Sequence, residues 1–168
     1  MITEVFHKTK LLILDDYPNH QKLKSELIET LENYPDVQNK ETNVKATMTE
    51  WNISSPQIEI LKQYILHNSF YFLWKTANPK IATFWANVYR KKEYTQLHDH
   101  LPYNLSFVYF LNSKNYFSSL YFKTIGFNKK IKPKEGRLVI FPSYLKHGVK
   151  RHMYQEYRIT LSGDILIQ

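Results

Sequence analysis

The chain has 168 residues, enough for one domain with a proper hydrophobic core and no need of staples. It contains no cysteine, which excludes disulfides, thiolate nucleophiles and zinc–thiolate sites and leaves nitrogen and oxygen as metal donors. Lys and Arg outnumber Asp and Glu by 23 to 15, a formal charge of +8, which leaves room for a nucleic-acid partner but does not establish one, because the basic clusters Arg90-Lys91-Lys92, Lys129-Lys130 and Lys146 to Arg151 fall at expected loops, where a solvated surface is the simpler reading.

The longest early apolar run, Leu11 to Leu14, is too short for a signal-peptide core or a membrane span, so a soluble, cytoplasmic protein is expected. After Asp15-Asp16-Tyr17-Pro18, the recurrence of Leu23, Leu27, Ile28 and Leu31 predicts a helix of about three turns that ends near Tyr34-Pro35. Val44 to Trp51 reads as one strand. A second helix starts with Ser55 as N-cap and Pro56 at the first helical position, burying Ile58, Leu61, Tyr64 and Ile65. From Ile81 onward, β-branched and aromatic residues alternate with polar ones, predicting strands near 81–90, 94–99, 104–112, 118–124, 137–141, 147–150 and 156–163. Pro133-Lys134-Glu135-Gly136 is a turn signal, with Gly136 suited to a left-handed position. The expectation is a single α+β, mainly β domain over 1–168, a helical support region (1–80) ahead of a β core (81–168). Its architecture would be a double-stranded β-helix, or jelly roll, with the helices packed on one sheet and the site at the barrel mouth.

Four residues carry the chemistry. Residues two apart on a strand share a face, so His98 and His100 can point together while Asp99 points away. By itself a His-x-His pair is common on strand surfaces. His147, however, lies just past the turn that ends the apolar run Leu138 to Phe141, where a side chain can reach back into a barrel mouth. Three such ligands on one side of an iron(II) leave positions open for a chelating cosubstrate and dioxygen. Asp99 is in the wrong register to ligate unless a bulge re-aims it. Arg158 and Thr160 alternate with Tyr157, Ile159 and Leu161, which puts the guanidinium on an inward face where it demands an anion. Its planar donors match a carboxylate, and the Thr160 hydroxyl can support the same group. An internal ion pair from Arg158 to Glu93 or Asp99 is the structural alternative. His7, His20, His67 and His152 have no partner at ligand spacing, so packing or surface roles are expected of them.

From Phe84 to Ile165, about half of the chain, several segments occur together in order. They are Trp85-Ala86-Asn87-Val88, the motif His98-Asp99-His100, the strand Leu105 to Asn112, the run Ile131 to Ser143 leading into His147, and Tyr157-Arg158-Ile159-Thr160. This set resembles the iron(II)- and 2-oxoglutarate-dependent oxygenases, within them the prolyl-hydroxylase-like group that includes small phage and bacterial members with a His-x-His motif. The resemblance implies His98, His100 and His147 as iron ligands and Arg158 as partner of the far carboxylate of 2-oxoglutarate, with help from Thr160, Asn87 or Ser106; Tyr89 shares a face with Asn87. No further catalytic side chain is implied. Two departures stand out. Most of the family carries Asp or Glu where this chain has His100, and prolyl hydroxylases place a tyrosine where it has Phe110.

The activity implied is hydroxylation of a C–H bond in a protein, peptide or amino-acid substrate, with iron(II), 2-oxoglutarate and dioxygen taking part. Two rivals remain at this point: a three-histidine cupin-type dioxygenase that uses no oxo acid, and a metal-free jelly-roll module that binds acidic partners through its basic surface.

Overall fold

A computed structural model describes residues 2–6, 9–35, 42–73 and 77–167. His7 lies outside that set. The first predicted helix forms as α1 (His20–Glu32), and Leu23, Leu27, Ile28 and Leu31 turn toward one core. The second, α2 (Pro56–Phe72), starts where a capping serine and an N-terminal proline place it, with the Ser55 hydroxyl accepting from the Ile58 amide at 3.2 Å.

The expected β core is present as β5 (Pro79–Tyr89), β6 (Tyr94–His98), β7 (Leu105–Asn112), β8 (Leu120–Thr124), β10 (Leu138–Pro142), β11 (His147–Val149) and β12 (Arg158–Ile167). Three features depart from the sequence expectation. The chain opens with a hairpin, β1 (Ile2–Phe6) and β2 (Thr9–Leu14), so the region before residue 80 is not purely helical. Leu11 to Leu14 is a buried strand paired to β10, and a four-residue apolar run is its only local signal. The segment Val44 to Trp51 is two short strands, β3 (Val44–Lys45) and β4 (Thr47–Met48), which pair with different sheets on either side of the buried Ala46. A strand β9 (Phe127–Ile131), too polar to register as one, pairs with β8.

Two antiparallel sheets result. The larger has the order β1-β2-β10-β7-β12-β5-β4 and the smaller β3-β6-β11-β8-β9. The helices cover the outer face of the larger sheet, and the inner faces of both sheets enclose a second core. β7 is buried along nearly its whole length for this reason: Phe107, Tyr109 and Leu111 face the helices, while Val108 and Phe110 face the barrel. β12 divides in the same way. Ile159, Leu161 and Ile165 join the helix-side core, and Arg158, Thr160, Ser162 and Asp164 line the interior face. Gly163 allows the sheet to close at this point, because a Cβ there would come within 2.2 Å of the Thr83 carbonyl and 2.5 Å of the Phe107 ring.

The turn at Gly136 has the expected left-handed backbone, φ +75°, and the Arg137 amide donates to the Lys134 carbonyl across it. A fork holds it to the N-terminal hairpin, with Arg137 Nε 2.6 Å and a terminal nitrogen 3.0 Å from the two oxygens of Asp15. These bonds hold the Asp15 carboxyl below its usual range. Its folded value is depressed, so its stabilisation is complete above the unfolded value and fades as pH falls through the folded one. Asp15→Asn is expected to cost about 1 kcal/mol at pH 7 and almost nothing near pH 2. Urea melts at the two pH values check this, and an equal loss at both would contradict it.

Candidate metal centre

His98 ends β6, and His147 opens β11 directly opposite it in the antiparallel register, so their side chains leave the small sheet on the same, inner face. His100 follows two residues past His98, where its backbone amide donates to the Ser143 carbonyl at 2.8 Å. One ring nitrogen from each of the three lies within 4.8 Å of the others, and no other such group of three His, Asp or Glu occurs among the described residues. Asp99 is not part of it.

The tautomers follow from the partners. His98 Nδ1 is 2.8 Å from the Gln96 carbonyl, His147 Nδ1 is 3.0 Å from the Leu145 carbonyl, and His100 Nδ1 is 2.9 Å from the Asp164 carboxylate. A carbonyl or carboxylate oxygen only accepts, so each Nδ1 carries the hydrogen and each Nε2 presents a lone pair. The Nε2 atoms of His98 and His100 then lie 2.9 Å apart with no hydrogen between them. Two nitrogens each about 2.1 Å from one ion, at roughly a right angle, sit about 3 Å apart. The spacing therefore suits a shared cation better than two facing lone pairs. Burial lowers the pKa of His98, and burial together with the neighbouring imidazoles lowers that of His147 further, which keeps both rings neutral.

Sequence reasoning missed Asp164. Its carboxylate accepts from His100 Nδ1 and from the hydroxyls of Ser106 (2.7 Å) and Thr83 (2.9 Å) while 2% exposed. The signal was present, because Asp164 continues the inward alternation of Arg158, Thr160 and Ser162, but the predicted strand ended one residue early. Ser106 borders the same cleft, but its hydroxyl is committed to Asp164 and Ser143. Outer hydrogen-bond partners of metal-bound imidazoles typically influence metal affinity 10–100-fold, so Asp164→Asn is expected to weaken iron(II) binding by about that factor. Calorimetric titration of the variant would check this; unchanged affinity would refute the orienting role.

Among the described residues Arg158 is the largest fully buried side chain, and its three guanidinium nitrogens have no hydrogen-bond partner there. The expected alternative, an ion pair to Glu93 or Asp99, is absent: Glu93 accepts from the Arg90 amide, and an oxygen of Asp99 lies 3.5 Å from the Leu101 amide. Instead the guanidinium carbon lies 4.7 Å from the centre of the Tyr89 ring and 5.4 Å from that of Phe110. Burial pulls its pKa below the ordinary range, opposed by Tyr89. The three histidines, Arg158, Thr160, Asn87 and Ser106 all line one cleft between the sheets, about 410 Å³ including its open mouth. Asn87 spends one amide hydrogen on Ser162 and accepts from the Trp85 indole. Trp85 stacks on His100, rings 5.9 Å apart and 11° from parallel, and the exposed Trp51 packs edge-on against Trp85.

Residues 125–164, spanning His147, Arg158 and Asp164, match the family described as "Putative 2OG-Fe(II) oxygenase". The match spans about a quarter of the chain and supports its similarity to that family. The family uses iron(II) and 2-oxoglutarate. Solved structures of such oxygenases share its fold. A Pseudomonas putida prolyl-4-hydroxylase is 14% identical with a TM-score of 0.71, covering 93% of this chain and 91% of that one. The viral collagen prolyl hydroxylase of Paramecium bursaria Chlorella virus-1, solved with 2-oxoglutarate, is 15% identical (TM-score 0.66, 92% and 94% covered). A Trichoplax adhaerens prolyl hydroxylase, in complex with a hypoxia-inducible-factor peptide fragment, is 13% identical (TM-score 0.68, 93% and 83% covered). Comparison with curated proteins finds no match. Among the described residues no helix is long and apolar enough to cross a membrane.

Proposed function

We propose that the chain is a single-domain hydroxylase in which His98, His100 and His147 hold iron(II) through Nε2 and Arg158 pairs with the far carboxylate of 2-oxoglutarate. The observation that carries this reading is the unpartnered guanidinium of Arg158, sealed in the cleft that the three imidazoles line. A buried cation without a partner is costly to keep, and a dianionic cosubstrate relieves it. A three-histidine site that took no oxo acid would leave that cation unexplained.

Bound together, iron(II), 2-oxoglutarate and dioxygen supply the oxidising power: the keto acid loses carbon dioxide and becomes succinate while one oxygen atom enters a substrate C–H bond. The protein's own residues orient and enclose. Asp164 and the backbone carbonyls of Gln96 and Leu145 fix the three imidazoles. Thr160 lines the cleft with Arg158, where its hydroxyl would support the carboxylate, and Asn87, with one amide hydrogen not spent on Ser162, lines the same cleft. Ser106 serves through Asp164. Phe110, in place of a tyrosine, gives Arg158 a ring face instead of a hydroxyl, which leaves its donors for the cosubstrate.

For the substrate, a peptide or protein segment fits best. The exposed Trp51 packs on Trp85, which stacks on His100, the exposed Leu101 follows His100 in the chain, and solved structures that share this fold include prolyl hydroxylases, one with a peptide bound. The absence of cysteine suits a reducing cytoplasm. The test is calorimetry of 2-oxoglutarate binding with and without iron(II), followed by succinate release. Binding that needs the metal supports the reading; binding indifferent to it, or none, refutes it.

A further inference from the structure

The outer face of the small sheet carries a feature that the iron site does not use. On β8, Leu120 and Phe122 point into the barrel core, so Tyr121 and Lys123 point outward. Tyr121 lies across β11 at Gly148, where a Cβ would come within 2.9 Å of the tyrosine hydroxyl, and it pairs in register with Lys130 of β9. Beside it a depression is walled by Tyr116, Tyr154, Met153, Lys130, Lys150 and Arg151. A second depression, walled by Lys91, Lys92, Tyr94 and Lys45, shares Arg151 with the first, so the two form one continuous band. Arg151 lies against the Tyr94 ring, 4.6 Å from its centre, and donates to the Lys92 carbonyl at 2.8 Å.

The walls of the band bring together six cations, Lys45, Lys91, Lys92, Lys130, Lys150 and Arg151, with one carboxylate, the buried Glu93. Glu156, near Tyr116, is paired with Lys114 at 2.8 Å. Large apolar side chains stand exposed among the charges: Tyr116 is 48%, Tyr154 37% and Met153 58% accessible, and the two tyrosine rings meet at 4.9 Å. Cations alone would suit any polyanion. Tyr154 stacks one face on Phe117, centroids 5.4 Å apart, and Lys114 Nζ lies 5.7 Å from the centre of the Tyr116 ring, so each ring keeps only part of its surface open. Aromatic surface left open between cations suits an unpaired base, which a duplex hides and an acidic or phosphorylated peptide lacks.

Lys92 adds a second argument. It sits in the turn that carries the chain from β5 in the larger sheet to β6 in the smaller, with φ +76°, a left-handed conformation that glycine adopts freely and lysine does not. The Lys92 amide donates to the His152 carbonyl and its carbonyl accepts from Arg151, which fixes this turn and with it a cation at the end of the band.

We infer that this band binds single-stranded nucleic acid, phosphates against the Lys and Arg side chains and bases on Tyr116 and Tyr154. The inference does not depend on the iron site. It is tested by fluorescence anisotropy of a labelled mixed-sequence 20-nucleotide DNA strand with the full chain. Saturable binding is expected at 50 mM salt, weakening roughly 50-fold by 200 mM if about four phosphates are neutralised. The pair K130E/K150E, on exposed side chains, is expected to bind at least about 10-fold more weakly, and Y116A/Y154A at least about 5-fold. Lys92→Gly separates charge from architecture: its melting temperature should equal or exceed that of the parent while its affinity falls about 2–3-fold. Three results would each overturn the inference: no saturation by ~100 μM strand, parental affinity in Y116A/Y154A, or equally tight binding of a blunt duplex or a phosphoserine-rich peptide of matched charge.

Discussion

Arg158→Met is expected to make the metal-free protein more stable and at the same time to remove its affinity for 2-oxoglutarate. Two effects of opposite sign meet in this side chain. Without cosubstrate, the guanidinium is fully buried and none of its nitrogens has an acceptor, so folding strips a charge of water and returns nothing but two ring faces. Methionine has similar length and no charge, and replacing a buried ionic group by a packed apolar one stabilises by about 1–4 kcal/mol. For a chain of this size that is a rise of roughly 3–10 °C in melting temperature.

With cosubstrate the balance reverses. Losing one partner of a buried, hydrogen-bonded charge pair costs about 2–5 kcal/mol, a loss of roughly 30- to 5,000-fold in affinity. Arg158→Lys keeps the charge but not the planar fork, so it should fall between the two in affinity and recover none of the stability. Differential scanning calorimetry of the metal-free protein and titration of the iron(II) form with 2-oxoglutarate read both quantities. A variant that melts lower and still binds the keto acid would remove the basis of the proposed oxygenase function.

Loss of iron is the expected result for His147→Leu, with iron(II) affinity down more than about 100-fold, beyond what the loss of an outer partner produces. Leucine is the better probe than alanine. The His147 ring packs 4.6 Å from Phe141 and 6.0 Å from Phe122, and truncation there would open a cavity costing about 3 kcal/mol, confusing metal loss with unfolding. Asp99→Ala is the matched control, because Asp99 stands outside the cluster of ring nitrogens. Its iron(II) affinity should equal that of the parent. Were the Asp99 variant to lose iron while His147→Leu kept it, the ligand set would have to be redrawn around a carboxylate.

Much of this architecture is written in local patterns. The two helices follow from apolar spacing and from the Ser55-Pro56 start, and β5, β6, β7, β10 and β11 follow from alternation, each within about two residues of its expected ends. The inward face of β12 was legible for the same reason, because strict alternation assigns Arg158 and Thr160 to one side wherever the strand lies. What lacked a local signal was decided by partners far away in sequence. β2 is a strand because β10 offers it an edge, and Val44 to Trp51 divides because the chain crosses from one sheet to the other at Ala46.

By itself, then, the order of residues determined which side chains could share a face and which chemistry they could support: three imidazoles, one guanidinium and no thiol. Only the tertiary structure decided that His147 stands opposite His98 across two strands, that Asp164 is the carboxylate behind His100, and that among the described residues no acid reaches Arg158. The physical reason is that strand periodicity is a property of a few consecutive residues, whereas the pairing of strands 50 residues apart depends on closure of the whole barrel.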